Sequence, residues 1–124
     1  MHHSRLSSVI IDCKTADLPG AASFWSQALG RPAQENPANP TYISLQMLPG
    51  EPICQIQSVP HESRVHLDIE TDNIEAEAAR LERLGARRIK AVRDWVVMEA
   101  PTGQRFCLVP AFRENFLKDA NIWE

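Results

Sequence analysis

The stretch VIIDCKTADLPGAASFWSQALG, from Val9 to Gly30, predicts a strand followed by a helix. Apolar and polar residues alternate up to Lys14, as expected for a strand that is covered on one face. Asp17 is a residue type that caps helices, and Gly30 is the expected left-handed end. Helical spacing of apolar residues between them predicts one buried stripe, made of Ala21, Phe24, Trp25, Ala28 and Leu29.

A second stretch, RVHLDIETDNIEAEAARLERLG from Arg64 to Gly85, repeats the same order. Val65, Leu67 and Ile69 form the predicted covered face of its strand. Asp72 followed by Glu75 resembles a capping box, and Gly85 is the expected helix end. The predicted buried stripe of this helix consists of Ile74, Ala78, Leu81 and Leu84.

Further strands are predicted after each helix. The predicted strands are residues 42–47 and 53–59 in the first half, and residues 87–92, 95–99 and 105–110 in the second half. Proline and glycine between the last two strands of each half are typical of turns. The region 37–40, which is rich in proline, is expected to be an irregular loop. The matching order of elements indicates two copies of one strand–helix–strands module that share an interface.

Composition excludes several classes of protein. The 124 residues suit a single domain, and a net charge of −3 without a run of basic residues argues against nucleic-acid binding. No apolar stretch is long enough for a membrane span, and the first residues lack the apolar core of a secretory signal. Three widely spaced cysteines argue against a disulfide framework and favour a cytoplasmic protein.

Together, the Val9–Gly30 stretch, the RVHLDIETDNIEAE segment and WVVMEAPTGQRFCLVP resemble the vicinal oxygen chelate superfamily, in its glyoxalase-like branch. The resemblance implies an α+β fold in which two βαβββ modules form a curved mixed sheet around a cleft, with the helices outside. It implies one glyoxalase-like domain over residues 1–124, with module one at about 5–60 and module two at about 61–112. Residues 113–124 would form a C-terminal tail.

Metal enzymes of this superfamily carry four ligands that point into the cleft. By motif, those positions are Ile10, Gln57, His66 and Cys107, although Gln55 could stand in place of Gln57. Isoleucine cannot bind a metal, and a neutral amide is a weak ligand for a divalent ion. We therefore expect a degenerate metal site and no family-type metal cofactor.

A polar pocket is expected on the strand faces opposite the helices. His66 is the candidate catalytic base, with Asp68 as the carboxylate that holds it. Trp95 would add a flat aromatic wall. The candidate ligand-binding residues are Asp12, Gln57, Arg64, Trp95 and Cys107. The competing interpretation is an Asp–Arg–His network that satisfies itself, or a solvated sheet face.

Outside the pocket, we expect structural roles. Cys13 and Cys54 are expected to be small core residues, and Phe24 and Trp25 to anchor the first helix. His2 and His3 are expected to be disordered. Counted from Ala111, the tail holds too many large apolar residues to be free, so it should pack against the body or against a partner subunit. These apolar residues are Phe112, Phe116, Leu117, Ile122 and Trp123.

Two functions follow from the resemblance. The first is a small-molecule enzyme of the lyase or isomerase type with a degenerate metal site. The alternative is a non-catalytic protein that binds or sequesters a small molecule, as the bleomycin-resistance members do. The expected partners are a small-molecule ligand and a second copy of the chain in a homodimer that buries Phe116 and Trp123.

Overall fold

The computed structural model describes residues 1–124, which form nine strands and three helices. In chain order these are β1 (His2–Cys13), α1 (Leu18–Leu29), β2 (Ala33–Glu35), β3 (Tyr42–Leu45), β4 (Ile53–Ser58), β5 (Arg64–Thr71), α2 (Ile74–Arg83), β6 (Arg87–Val92), β7 (Trp95–Glu99), β8 (Arg105–Pro110), α3 (Phe116–Asp119) and β9 (Asn121–Trp123). Two compact units divide the chain. Ser8–His66 form the first unit, and Met1–Ser7 with Leu67–Glu124 form the second, so that β1 and β5 each contribute to both.

The first unit has the strand order β2-β3-β4-β1, in which β1 is parallel to β4 and the other pairs are antiparallel. Helix α1 packs against β3 and β4. The Asp17 side chain accepts a hydrogen bond from the backbone of Gly20, and Gly30 ends the helix with a φ of 68°. The core between helix and sheet consists of Ile11, Leu18, Ala22, Ile43, Leu45, Cys54 and Ile56.

The second unit has the strand order β5-β8-β7-β6, with β5 parallel to β8. Helix α2 packs against β6, β7 and β8, over a core of Ala78, Val96, Met98 and Leu108. Each unit therefore contains a strand, a helix and three further strands in that order. This confirms the predicted α+β class. Strand β2 lies where the sequence predicted no strand, and β9 and α3 occupy the tail.

The cap of α2 differs from the prediction. Asn73, not Asp72, is the N-cap, since its side chain accepts from the backbone of Ala76. Asp72 instead accepts hydrogen bonds from the backbone and Nδ1 of His3. Gly85 ends the helix as expected, with a φ of 104°. The spacing rule was wrong by one residue because Asp72 and Asn73 are both good caps and only one has the required backbone geometry.

Replacing Asn73 with alanine is expected to lower the free energy of unfolding by about 1 kcal/mol, because the Ala76 N–H loses its acceptor. Glycine suits the backbone of an N-cap better than alanine does. Asn73→Gly should therefore lower the free energy of unfolding by only about a few tenths of a kcal/mol. Urea unfolding of both variants measures the difference. Equal losses in the two variants would contradict the assignment of the cap.

Several residues of the predicted apolar stripes are exposed. Phe24 is 61% exposed and rests edge-on against Trp25, which packs on the core. The expectation that Phe24 anchors α1 is therefore wrong. Leu29 and Leu84 are exposed at the helix ends. Val65 and Leu67, at the start of β5, are exposed as well, so the predicted covered face of this strand is wrong at both positions. The contacts of an element, not its periodicity alone, decide which apolar residues are covered.

The first residues of the chain are ordered, contrary to the prediction for His2 and His3. His2 lies in β1 opposite Trp123, is 7% exposed, and its Nε2 lies 2.8 Å from Oε1 of Glu77. The Trp123 indole N–H donates to the hydroxyl of Ser4. The prediction failed because short polar N-termini carry no periodic signal, and the pairing partner lies at the other end of the chain.

The tail packs against other residues of the second unit. This is one of the two arrangements that the sequence predicted. Phe116 is 8% exposed, and the Trp123 ring stacks on the Arg80 guanidinium at 3.8 Å. The buried carboxylate of Glu70 accepts from Arg5 and from the backbone of Phe112 at the start of the tail. Phe112, Leu117 and Ile122 remain exposed. Burial of Phe116 thus needs no second subunit, and the homodimer stays a prediction.

None of the three helices combines the length and the apolar character required to cross a bilayer.

Candidate functional site

One face of the first unit's sheet is polar, and strand register defines it. Ile56 lies opposite Ile11 and Ile43, and all three belong to the core under α1. Successive side chains of a strand point to opposite faces, so the next set along these strands faces away from the helix. That set pairs Asp12 with Gln57 and Gln57 with Tyr42, followed by Ile10, Gln55 and Ser44.

Asp12 and His66 form the strongest contact on this face. The Asp12 carboxylate is 2% exposed, and its Oδ2 lies 2.6 Å from Nδ1 of His66. An ionised carboxylate can only accept, so the imidazole donates its Nδ1 proton and the basic lone pair of the neutral ring lies on Nε2. The His66 side chain is 16% exposed. The arrangement fixes both the tautomer and the ring orientation of a titratable group.

Arg64 lies beside this pair. Its Nε is 3.9 Å from Oδ2 of Asp12, and its Nη2 is 3.4 Å from Nε2 of His61. The Arg64 side chain is 49% exposed, so its positive charge borders both the buried carboxylate and the solvent. The Asp–Arg–His network of the competing interpretation therefore exists in part. It does not satisfy itself fully, because Oδ1 of Asp12 is buried and has no hydrogen-bond partner.

The remaining candidate residues lie in the second unit. Asp68 is opposite Cys107 in the β5–β8 pairing, and Cys107 is opposite Val97 in the β7–β8 pairing. Trp95, two residues before Val97, therefore shares their face. Glu99 on the same face contacts Arg87 and Arg105. The structure thus groups Asp12, Gln57, Arg64 and His66 in the first unit, and Asp68, Trp95 and Cys107 in the second.

The sequence predicts Asp68 as the carboxylate that holds His66, and this stays a prediction; the structure adds Asp12, which accepts a hydrogen bond from the His66 ring. Asp12 had been predicted only as a ligand acceptor. Tyr42 and Ser44 of the same face were not singled out at all. The period-two pattern of Tyr42, Ile43, Ser44 and Leu45 carries the signal that would have found them.

In the first unit, the residues at the superfamily's metal positions do not fit a catalytic metal. Ile10 is 1% exposed and offers no donor atom. The Gln55 amide donates to the hydroxyl of Ser44, and Gln57 offers only a neutral amide. His66 is the one good ligand among the positions of the first unit, and its Nδ1 is held by Asp12. Tight catalytic sites require about three good protein ligands.

The three thiols differ in environment. Cys54 is buried in the core of the first unit, and burial raises the pKa of its thiol. Burial, with the nearby charge of Asp12, raises the pKa of the Cys13 thiol as well. Both thiols are therefore protonated at neutral pH and act as small apolar side chains, as predicted. All three cysteines, including half-buried Cys107, are free of disulfides.

A cavity of about 280 Å³ lies at the first turn of α1, beside β3, and Tyr42 is among its lining residues. Its lining is mostly apolar, with Leu18, Pro19, Pro37 and Pro40, and Glu35 is its one charged residue. It contains neither a histidine nor a thiol. The chemistry of the first unit is therefore concentrated on the face that carries Asp12 and His66.

Both units repeat the βαβββ order, with a helix against one side of each sheet and polar side chains on the other. This arrangement defines the vicinal oxygen chelate class of proteins. The glyoxalase-like domain family matches residues 8–109. The chain belongs to this family.

Solved structures show the same fold. Hypothetical protein BH1468 from Bacillus halodurans superposes with a TM-score of 0.60 at 11% identity, covering 90% of this chain and 96% of that one. A Legionella pneumophila protein described as an NAD-dependent benzaldehyde dehydrogenase gives 0.60 at 11%, covering 85% and 98%. A Streptomyces coelicolor methylmalonyl-CoA epimerase variant gives 0.56 at 15%, covering 86% and 94%. No curated protein matches the chain. At these identities the likeness establishes the fold alone.

Proposed function

We propose that the protein is a small-molecule enzyme of the lyase or isomerase type that works without the superfamily's metal. In this proposal His66 is the general base, and its Nε2 takes a proton from a carbon next to a carbonyl group. The observation that carries it is the 2.6 Å hydrogen bond from His66 Nδ1 to the buried carboxylate of Asp12. A base held in one tautomer by a carboxylate is a recurring solution for proton transfer.

The proposed proton transfer can be followed atom by atom. The carbon gives its proton to Nε2 of His66, and the electron pair left behind delocalises onto the carbonyl oxygen. Asp12 stabilises the resulting imidazolium at Nδ1. Protonation of the other face of the carbon by a water molecule gives an epimer, with His66 releasing its proton to solvent, and return of the His66 proton to a neighbouring atom gives an isomer. The name of the Streptomyces coelicolor neighbour, an epimerase of a coenzyme A thioester, describes chemistry of this class.

Deuterium exchange tests the proposal. Protein in D₂O is incubated with a panel of carbon acids, comprising methylmalonyl-CoA, the 2-hydroxy acid mandelate and a 2-hydroxy ketone, and mass spectrometry measures deuterium uptake. We expect exchange with at least one panel member, and a loss of at least ~100-fold in His66→Gln, as is typical of a removed general base. Asp12→Asn should lose at least ~10-fold because the ring loses its orienting acceptor.

His3→Gln is the matched control, since His3 also bonds a carboxylate, that of Asp72, but lies in the second unit. Its exchange rate should equal that of the wild type, and so should the rate with a chelator present. Exchange that is absent across the panel, or unchanged in His66→Gln, would refute the proposal.

The alternative function is binding without turnover. The observation in its favour is the polar character of the face, where buried Oδ1 of Asp12 has no partner. A ligand that raises the melting temperature but undergoes no exchange would support this alternative over catalysis. The wide spacing of the three cysteines favours a reducing compartment, so the proposal includes a cytoplasmic location and a homodimer.

A further inference from the structure

The Asp12 carboxylate has one oxygen that requires a donor. Oδ2 is engaged by His66, whereas Oδ1 is buried without a partner in a side chain that is 2% exposed. A buried acceptor without a donor costs roughly 1–3 kcal/mol, so a ligand O–H or N–H group placed there would be bound favourably. The neighbouring residue across the β1–β4 pairing is Gln57, and its amide makes no hydrogen bond to Oδ1.

Arg64 supplies donors beside this oxygen. Its guanidinium has five N–H donors, and its contacts are the 3.4 Å approach to His61 and the 3.9 Å approach to Asp12. Neither contact is a close, well-formed ion pair. A half-exposed guanidinium in this state can bind a carboxylate with two parallel hydrogen bonds.

We infer that this face binds the headgroup of a small carboxylate that carries a hydrogen-bond donor on the adjacent carbon, as in 2-hydroxy and 2-amino acids. The ligand carboxylate would lie on Arg64 and the donor on Oδ1 of Asp12. The reverse orientation would set two carboxylates against each other. Arg64 Nε lies 3.9 Å from Oδ2 of the same carboxylate, so the guanidinium and Asp12 are close enough to contact two polar groups of one small ligand. The inference rests on the proposed function, because it names the substrate class of the same site.

Four probes of similar size test the inference by NMR titration of ¹⁵N-labelled protein. L-Lactate and L-alanine carry both groups, propionate lacks the donor, and lactamide lacks the carboxylate. We expect lactate or alanine to bind at least ~10-fold more tightly than propionate and lactamide, a difference of about 1.4 kcal/mol. The tighter of the two identifies the donor as a hydroxyl or an ammonium group.

Two variants assign the contacts. Arg64→Gln should weaken carboxylate binding by at least ~10-fold, and Asp12→Asn should remove the preference for lactate or alanine over propionate. Arg83→Gln, which removes an exposed charge at the end of α2, should leave all four affinities unchanged. The comparison of probes on the wild type holds even if Asp12→Asn fails to fold.

Equal binding of propionate and of the donor-bearing acids, or no binding of any probe, would overturn the inference. So would unchanged affinities in Arg64→Gln. These titrations require no turnover, and the exchange experiment does not use these probes. Exchange without selective binding would refute this inference alone, whereas selective binding without exchange would refute the proposed catalysis alone.

Discussion

Replacing Glu77 with glutamine is expected to lower the free energy of unfolding by about 3–5 kcal/mol, the cost of removing one partner from a buried ion pair. Glu77 is fully buried on α2. It accepts from Arg80 Nε at 2.7 Å and Nη2 at 2.9 Å, and from the His2 ring at 2.8 Å. A neutral amide would leave the Arg80 charge, which the Trp123 ring also covers, without its counter-ion.

Urea unfolding at neutral pH measures this loss. Glu82→Gln is the control on the same helix, because Glu82 is 44% exposed and pairs with Arg88 at 3.2 Å. An exposed pair of this kind contributes at most about 1 kcal/mol. A Glu77→Gln variant within about 1 kcal/mol of the wild type would show that the buried pair does not hold the two chain ends on α2.

Local sequence signals predicted most of the fold. Asp17 and Gly30 bound α1 as expected because a cap and a left-handed residue act within a few positions of the chain. The three strands of the second module were predicted with the bounds that the structure gives them. Period-two alternation also placed Gln55 and Gln57 opposite the helix-covered face. These features depend on neighbours in sequence, which a pattern can encode.

Long-range pairing was not predictable in this way. The helical pattern marks Glu77 as a solvated residue, yet it is buried because His2 and Arg80 surround it. The His2 contact joins residues 75 positions apart. Likewise, the strand pattern places only Asp68 near His66, and it does not indicate Asp12, which lies 54 positions away and accepts a hydrogen bond from the His66 ring. Periodicity assigns a side chain to a face but does not identify its partner across strands.

A buried carboxylate, a guanidinium and an imidazole define the candidate site, and this explains why the face is polar and does not resemble an apolar core. Burying Asp12 costs free energy that His66 and Arg64 offset only in part, since one carboxylate oxygen stays without a donor. A buried polar atom without a hydrogen-bond partner is uncommon in protein interiors. It is expected where a ligand supplies the missing hydrogen bond.

Acid is expected to weaken the fold through Glu77. Burial alone would raise the pKa of Glu77, but hydrogen bonds from Arg80, His2 and Ser4 and the charge of Arg80 lower it from 4.5 to about 2. A lowered folded-state pKa stabilises the protein above the unfolded value, and this stabilisation is lost as the pH falls from about 4.5 towards 2. The shift corresponds to roughly 3 kcal/mol, of which about 2 kcal/mol should be lost by about pH 3.

Urea unfolding of the wild type and of Glu77→Gln, at about pH 6 and about pH 3, isolates this contribution from that of the other carboxylates. The stability gap between the two proteins should narrow by about 2 kcal/mol at the lower pH. A gap of the same size at both pH values would mean that Glu77 keeps an ordinary pKa in the folded protein, and that its ion pair with Arg80 contributes little to stability.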